Sequence, residues 1–373
     1  MKFVKIIILS ALFISGTTVL PQTKTGEGSN TATSSSSSEE NAKTTKDNTQ
    51  APAKQEQNQN NQEKQDTQDN QEQANTLEKQ GESTTTEGSS KTYLMATGFR
   101  GGTYHQIAKS LAKNNILSVN AIPSGGSIQN IKMIRDHQAD FAIAQLDILV
   151  NFALRRDRIK KNVKIVLPIY REEVHIIARK NFYSLDEFEE ATISIGPKSS
   201  GSYATGRILL NALGLDESLV YLDYSDPNYA LSLLKNKKID AMIVVAGAPV
   251  QLFSKLKPSF GDRFKLLPVS QDLYKTLTGE RLPYVLTTIP AKTYAWQPKA
   301  VQTLAVGSAI IVRADMDDSV VEKLIQDIFS RQADLIKTHP KWKELQKSAV
   351  KTFATIYKHF LHPAAYRALK NIQ

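Results

Sequence analysis

The sequence contains no cysteine among its 373 residues. Structural disulfides, cysteine metal sites and a thiol nucleophile are therefore excluded, and so is a lipid anchor on an N-terminal cysteine. An exported protein without that lipid must be dissolved in a bounded periplasm or held by its own N-terminal helix. The absence of cysteine thus favours the periplasm of a cell with two membranes.

Aromatic residues are absent from residues 21–90, where Gln, Ser, Thr and Asn dominate. Such a composition cannot bury enough apolar surface to offset chain entropy, so a disordered linker is predicted there. A glutamine-rich coiled coil is the alternative, although no apolar heptad pattern runs through the segment. In residues 1–20, Lys2 and Lys5 precede an apolar run from Ile6 to Ile14. This pattern predicts a signal peptide or, if it is not cleaved, an N-terminal anchor.

Several enzyme motifs are also missing. The sequence has no H-E-x-x-H and no G-x-S-x-G, and its glycine turn at residues 98–102 lacks the G-x-G-x-x-G spacing of dinucleotide-binding proteins. Its six histidines are scattered, and only His359 and His362 form a weak pair of possible metal ligands. These absences argue against an enzyme and predict neither a cofactor nor a metal site.

The positive charge of the chain is concentrated in residues 91–373. The whole chain is +10, residues 1–20 carry two lysines, and residues 21–90 hold six lysines and twelve acids, which leaves +14 for the rest. A basic protein outside the cytoplasm suits anionic solutes or an anionic envelope. Nucleic acid is not predicted as a partner, because the basic residues form no run interleaved with aromatics.

From Tyr93 onward, strand patterns alternate with helix patterns, which predicts an α/β fold with mostly parallel sheets. At two places a strand ends in glycine and a helix follows. Gly98 precedes a helix that begins near Thr103, and Gly196 precedes one that begins near Ser202. Ligands of parallel α/β sheets bind at the carboxyl ends of strands, where helix N-termini present free N–H groups. Either turn alone fits a plain tight turn, but the two together favour a ligand site.

Five stretches carry a resemblance to a known family. From about residue 93 to its end, the sequence resembles the TAXI branch (TRAP-associated extracytoplasmic immunogenic proteins) of the solute receptors of TRAP transporters. The order and spacing of the stretches make this resemblance specific, and the ending "LHPAAYRALKN" resembles the family's C-terminus. The stretches are "MATGFRGGTYHQIA", "PSGGSIQNIKMIRDHQADFAIAQLD", "ISIGPKSSGSYATGRILLNALGL", "LLKNKKIDAMIVVAGAP" and "IPAKTY".

The resemblance implies a two-lobed periplasmic-binding-protein fold, type II-like, with hinge strands and a central ligand cleft. Lobe 1 is expected to contain residues 91–178 and 305–373, the latter including the C-terminal helices, and lobe 2 residues 179–304. The two crossings between them are expected near 167–179 and 285–304. The implied function is capture of a small organic anion, a glutamate-like amino acid or a carboxylate. The receptor, expected to be a periplasmic monomer, would deliver this ligand to the permease subunits of an ion-gradient-driven transporter.

Twelve residues are predicted to bind the ligand. They lie at strand ends and helix starts, where N–H groups, hydroxyls and side-chain amides meet a carboxylate. They are Gly101, Gly102, Thr103, Tyr104, Ser127, Asn130, Gln145, Ser199, Gly201, Ser202, Gly247 and Pro249. Structural roles are the alternative for three of them: Tyr104 in the core, and Ser127 as a helix cap with Asn130 on the surface.

Two other readings stay open at this point. Three cations either contact the ligand or are ordinary surface charges: Arg100, Arg171 and Lys198. An envelope-exposed ligand sensor, or an adhesin or immunogenic surface protein, is an alternative function on the same fold. An adjacent permease gene would support transport, whereas an adjacent sensor kinase gene would support signalling.

Overall fold

A computed structural model describes residues 91–112, 116–279 and 283–372. The predicted signal peptide or anchor at residues 1–20 and the predicted linker at residues 21–90 lie outside these described residues.

Strands and helices alternate along the described chain. The strands are β1 (Tyr93–Ala96), β2 (Val119–Ile122), β3 (Phe141–Gln145), β4 (Val163–Arg179), β5 (Thr192–Ser194), β6 (Tyr221–Asp223), β7 (Ala241–Ala246), β8 (Phe264–Leu266), β9 (Val285–Ile289) and β10 (Val301–Arg313). The α-helices are α1 (Thr103–Leu111), α2 (Ser127–Arg135), α3 (Leu146–Arg155), α4 (Asp157–Asn162), α5 (Gly201–Ala212), α6 (Pro227–Lys235), α7 (Gln251–Ser254), α8 (Gln271–Gly279), α9 (Asp318–Ser330), α10 (Gln332–Thr338), α11 (Lys347–Ile356) and α12 (Pro363–Lys370). Short 3-10 helices span Leu185–Phe188, Pro258–Asp262, Pro340–Glu344 and Lys358–Phe360.

The strands form one hydrogen-bonded sheet in the order β2-β1-β3-β10-β4-β7-β5-β6, with β8 paired to β4 and β9 paired to β10. β1 pairs in parallel with β2 and β3, and β5 pairs in parallel with β6 and β7. The long strands β4 and β10 run antiparallel to each other between these two groups. Each parallel group thus forms the sheet of one lobe, and β4 and β10 connect the groups.

Separate hydrophobic cores define the two lobes. The core of the first lobe takes its residues from Tyr93 to Tyr170 and again from Ala309 to the C-terminal helices. The second lobe has one core on each face of its sheet, because alternate residues of β4 and β7 belong to different clusters. The cores change over between Tyr170 and Val174 in β4, and between Val306 and Ala309 in β10.

The predicted two-lobed α/β fold with hinge strands is therefore confirmed. The second crossing lies a few residues later than the expected 285–304. The reason is that β9 and the first part of β10 pair with each other within the second lobe, from Val301 opposite Ile289 to Ala305 opposite Val285. Only after this hairpin does β10 continue into the first lobe.

The hinge strands are irregular where they meet. Pro168 lies opposite Ala309, and the register of the two strands shifts between Gly307 and Ala309. Proline lacks the N–H that a regular ladder needs, so an irregularity is expected at this point. The hydroxyl of Ser308 donates to the carbonyl oxygen of Tyr170 at 2.8 Å. A side-chain hydrogen bond thus holds the strands together where the ladder is interrupted.

Candidate ligand-binding site

A cavity lies between the two lobes, where β1 and β3 of the first lobe and β5 and β7 of the second lobe reach their carboxyl ends. Its volume is about 80 Å³. A cavity needs about 10–15 Å³ by this measure to admit one water molecule, so this one has room for a small solute. The predicted residues that line it are Gly102, Thr103, Tyr104, Ser127, Gln145, Gly201 and Ser202.

The N-terminus of α1 forms one wall of the cavity. Gly101 has a φ of +89°, a conformation that glycine adopts without strain, and it turns the chain from β1 into the helix. Gly102 is the N-cap residue, and no side chain caps this helix. Its first N–H groups are therefore available to a ligand. A Cβ on Gly102 would lie 2.8 Å from the ring of Phe99, so this position also requires glycine.

The N-terminus of α5 forms the facing wall. Ser200 caps the helix by accepting a hydrogen bond from the Tyr203 N–H at 3.0 Å. The hydroxyl oxygen of Ser202 accepts from the Val245 N–H at 3.0 Å. The hydroxyl hydrogen of Ser202 therefore remains free to be donated to a ligand. Both predicted helix starts, near Thr103 and near Ser202, are confirmed.

A third helix start also reaches the cavity, from the side of the second lobe. Asp226 is the N-cap residue of α6, and Pro227 is its first residue. The side chain of Asp226 accepts from the N–H of Asn228 at 2.9 Å and lies 3.4 Å from that of Tyr229. The carboxylate of Asp226 is therefore committed to its own helix.

A buried hydrogen-bond network forms the floor of the cavity. The Tyr104 hydroxyl donates to Glu172 Oε2 at 3.1 Å and lies 3.2 Å from Ser127 Oγ. Ser127 Oγ also accepts from the Gln145 N–H at 3.1 Å. The alternative in which Ser127 caps α2 is wrong, because the N-cap of α2 is Gly126 and no side chain caps that helix. Ser127 instead uses its hydroxyl across the floor.

Glu172 is a cavity residue that the sequence analysis missed. Its side chain is almost fully buried, and burial raises the pKa of its carboxyl well above the ordinary value, although the hydrogen bond from Tyr104 lowers it. Burial, followed by the nearby Glu172 charge, raises the pKa of Tyr104 as well. In the sequence, Glu172 and Glu173 look like a polar interruption of an apolar strand. Their position between two predicted lobes was the signal that could have found them.

Asn130 lies behind the cavity wall. It is fully buried, and its amide donates to the carbonyl oxygens of Thr97 at 2.5 Å and Ile143 at 2.7 Å. Its side-chain oxygen accepts from the Ser124 hydroxyl at 2.6 Å. The structure therefore does not bring Asn130 to the ligand side, nor does it leave Asn130 on the surface. It holds together the strand ends that support the site.

Four predicted residues make contacts between the lobes, and none of them lines the cavity. The Gly247 carbonyl accepts the Thr103 hydroxyl at 2.5 Å, and the Ser199 carbonyl accepts the Gln129 N–H at 3.0 Å.

Gly101 and Pro249 also make contacts between the lobes, through their carbonyl oxygens. The Gly101 carbonyl accepts the Leu252 N–H at 3.3 Å. His339 Nε2 lies 3.3 Å from the Pro249 carbonyl, and His339 Nδ1 accepts from the Lys341 N–H at 3.2 Å. The lobes are therefore closed on each other through direct hydrogen bonds around the cavity.

Glycines allow this close approach of the lobes. A Cβ on Gly125 would overlap the Ser199 side chain, and a Cβ on Gly126 would lie 3.3 Å from the Cα of Ser200. A Cβ on Gly201 would overlap the side-chain amide of Gln145. These positions face the opposite lobe, so their small size serves closure rather than a local turn alone.

The cavity has no fixed cation. None of the described residues that line it is lysine or arginine. Arg171 Nε lies 3.7 Å from Glu344, and Lys198 lies over the ring of Tyr224 at 4.6 Å. The net charge of +14 in residues 91–373 is thus spread over the surface rather than collected at the site.

Among the described residues, no group of three or more His, Asp or Glu side chains is arranged to hold a metal ion. No helix in residues 91–112, 116–279 or 283–372 is both long enough and apolar enough to cross a membrane.

Two lobes, two crossing strands and a cavity between the lobes at the strand ends define the periplasmic solute-binding-protein fold. Residues 95–372 match the NMT1-like family, and the chain belongs to that family.

Solved structures similar to this chain are named as binding proteins. They include periplasmic binding protein BugD, with 15% identity over 75% of this chain and 96% of that chain and a TM-score of 0.49. The ligand-binding component of an ABC-type import system from Staphylococcus aureus has 12% identity over 74% and 98%, with a TM-score of 0.42. The GluR0 ligand-binding core from Nostoc punctiforme has 15% identity over 73% and 100%, with a TM-score of 0.40. The strand topology and the family match carry the assignment of the fold.

Proposed function

We propose that this protein is an extracytoplasmic solute receptor of a TRAP-type transporter, of the TAXI kind. It binds a small organic anion between its lobes and delivers it to membrane permease subunits that an ion gradient drives. Its role is binding and not catalysis. The observation that carries the proposal is the cavity where helix N-termini of both lobes meet.

Helix N-termini favour an anion because their N–H groups are unpaired and the helix dipole is positive there. Each contributes about 0.3–1 kcal/mol to the binding of a negative group at an exposed site, and up to ~2 kcal/mol when partly buried. The first turn of α1 has no side-chain cap, and the hydroxyl of Ser202 is free to donate. With no lysine or arginine on the wall, these groups supply the attraction.

Enclosure favours a receptor that opens and closes. Hydrogen bonds between the lobes flank the cavity, so separation of the lobes would widen it for ligand entry. The two crossing strands are the natural place for that motion, because they alone continue through both lobes. Hinge closure around a ligand is a common mode of solute capture.

A thermal-shift panel tests the ligand class. Acidic amino acids, monocarboxylates, dicarboxylates and neutral sugars are added to the purified full chain. A ligand that binds only the folded state stabilises it by ~2.7 kcal/mol at one hundred times its Kd. We expect carboxylates to raise the Tm and neutral sugars to leave it unchanged.

Two variants test whether the ligand binds at this cavity. Tyr104→Ala and Ser202→Ala should each weaken the response by about 1–3 kcal/mol, because a buried hydrogen bond is left unmade. Ser218→Ala, an exposed serine whose hydroxyl contacts Asp216, is the control and should leave the response unchanged. A response to neutral sugars alone that survives Tyr104→Ala would contradict both the anion and the site.

The transporter type needs its own test. A membrane permease, sought among the genes next to the one that encodes this receptor, is reconstituted in vesicles, and uptake of the responding carboxylate is measured with the receptor outside. We expect uptake that requires an imposed ion gradient. Uptake that requires ATP and ignores the gradient would contradict the TRAP assignment while leaving the binding function intact.

A further inference from the structure

Glu172 is the one feature of the cavity that a plain anion does not explain. It lies on β4, between the cores of the two lobes, and its residue is 1% exposed. Its carboxylate accepts the Tyr104 hydroxyl at 3.1 Å on Oε2. Among the described residues this is its only hydrogen bond, whereas a carboxylate has about four acceptor positions. Glu172 Oε1 therefore has no hydrogen-bond partner among the described residues, and Glu172 lines the cavity.

No salt bridge joins Glu172 to a cation among the described residues. Lys341 Nζ lies 2.5 Å from Glu173 Oε1 and 2.6 Å from Glu344 Oε1, so it contacts those two carboxylates instead. Burial raises the pKa of Glu172 well above its ordinary value, and the charge of Lys341 lowers it only in part. A cation delivered by the ligand would lower this pKa further, because an opposite charge nearby favours the ionised form.

The side of the cavity opposite Glu172 favours a negative group. The uncapped start of α1 and the hydroxyl of Ser202 attract a negative group, as argued above. The other carboxylate at the cavity, Asp226, is exposed, and its Oδ1 accepts from the Asn228 N–H and amide and from the Tyr229 N–H. One cavity of about 80 Å³ thus contains an anion-binding side and, among the described residues that line it, one buried carboxylate.

We propose that Glu172 binds the ammonium group of the ligand, and that the ligand is a small amino acid. Its carboxylate lies at the helix N-termini, and its ammonium fills the free acceptor positions of Glu172. This inference rests on the proposed function and narrows it. A second carboxylate on the ligand would meet Glu172 as a like charge, so dicarboxylates are selected against.

Three molecules of equal size test this selection on the unaltered full chain. L-Alanine, L-lactate and pyruvate each have six non-hydrogen atoms and one carboxylate, but they carry an ammonium, a hydroxyl and a carbonyl at the same carbon. Succinate is the dicarboxylate for comparison. By calorimetric titration we expect alanine to bind about tenfold to a hundredfold more tightly than lactate or pyruvate, as for a hydrogen bond to a charged group.

Glu172→Gln keeps the size of the side chain and removes its charge. In this variant alanine should lose most of its tenfold to hundredfold advantage, while lactate binds as before or better. Glu322→Gln makes the same substitution on the exposed face of α9, away from the cavity, and should leave every affinity unchanged. The comparison of ligands on the unaltered chain decides the matter even if Glu172→Gln does not fold.

Several results would overturn the role of Glu172. They are equal binding of alanine and lactate, alanine binding that is unaffected by Glu172→Gln, succinate binding in preference to alanine, or loss of the alanine preference in Asp226→Asn instead. Each leaves the proposed receptor function standing, since a carboxylate still binds. If no carboxylate of any kind binds at the cavity, the proposed function fails as well, and the two failures are thereby distinguished.

Discussion

The hydroxyl of Thr103 donates to the carbonyl oxygen of Gly247 at 2.5 Å, and this bond joins two residues that are 144 positions apart and belong to different lobes. In an open receptor, water would satisfy the Gly247 carbonyl. In the closed receptor, Thr103→Val would leave that carbonyl buried without a donor. We expect Thr103→Val to weaken ligand binding by about 1–3 kcal/mol, measured by calorimetric titration.

Thr97→Val is the matched control for this prediction. The hydroxyl of Thr97 is equally buried, but it donates to the Ile122 carbonyl at 2.8 Å within the first lobe. This substitution should lower the free energy of unfolding and leave the affinity unchanged. Equal losses of affinity in both variants would mean that Thr103 acts through stability alone and not through closure.

Gly201→Ala should block closure. The added Cβ would overlap the amide of Gln145, which must then turn away and lose its 3.3 Å contact with Thr205. Ligand affinity is expected to fall at least tenfold, because the clash exists only when the lobes meet. Gly279→Ala is the control, since a Cβ there meets nothing within 4 Å. Unchanged affinity in Gly201→Ala would show that this approach of the lobes is not needed for binding.

The helix starts at the cavity were predictable because their signals are local. Gly98 to Gly102 break a strand pattern before a helix pattern, and so do the residues around Gly201. The sequence predicted that Thr103 and Gly201 lie at the site, but it did not predict that they contact the opposite lobe. Their partners in the other lobe are distant in sequence, and nothing in either local pattern names them.

Glu172 shows why part of the cavity was missed, and Ser127 shows why capping remained as an alternative to its predicted place at the site. Charged residues are rarely fully buried, so two adjacent glutamates suggest exposure. Both lie on a strand shared by the two lobes, where one meets the cavity and the other meets Lys341. Ser127 stands at a helix start, where capping is the usual role of serine. A tyrosine hydroxyl brought in by α1 lies beside it instead.

Lys341 should stabilise the folded protein through its ion pair with the hinge strand β4. Its ammonium is buried and pairs with Glu173 of β4 at 2.5 Å. Removing one partner of a buried pair leaves an uncompensated charge, so Lys341→Met should lower the free energy of unfolding by about 3–5 kcal/mol. Lys337→Met removes an exposed pair with Asp334 at 2.8 Å and should leave the free energy of unfolding almost unchanged. Similar losses in urea unfolding of the two variants would contradict this difference.

Asp147 should make stability depend on pH. It lies in the first turn of α3, and Tyr284 of the second lobe donates to its Oδ2 at 3.3 Å. Burial raises the pKa of Asp147 to about 6, against three hydrogen bonds that lower it: from the Ile148 N–H, the Tyr284 hydroxyl and its own N–H. An unfolded aspartate has a pKa of about 3.9. The folded state therefore holds the proton more tightly, and the contribution of Asp147 to stability falls as pH rises from about 4 to about 6.

Asp147→Asn removes this titration. Relative to the unaltered chain, the variant should gain about 1–3 kcal/mol in free energy of unfolding between pH 4 and pH 7. Urea unfolding at both pH values measures the gain. Asp272→Asn is the control, because it removes a carboxylate charge that is exposed. A stability difference that is the same at both pH values would be inconsistent with a raised pKa.

Small-angle scattering with and without ligand tests the central claim, that the lobes close on a small carboxylate. The measurement uses a chain shortened to begin at residue 89, which we expect to fold and bind as the full chain does because residues 21–90 cannot form a core. At a saturating concentration of the carboxylate that raises the Tm most, we predict a smaller radius of gyration, and no such change in Gly201→Ala. Superimposable curves for the unaltered sequence, free and saturated, would contradict the account.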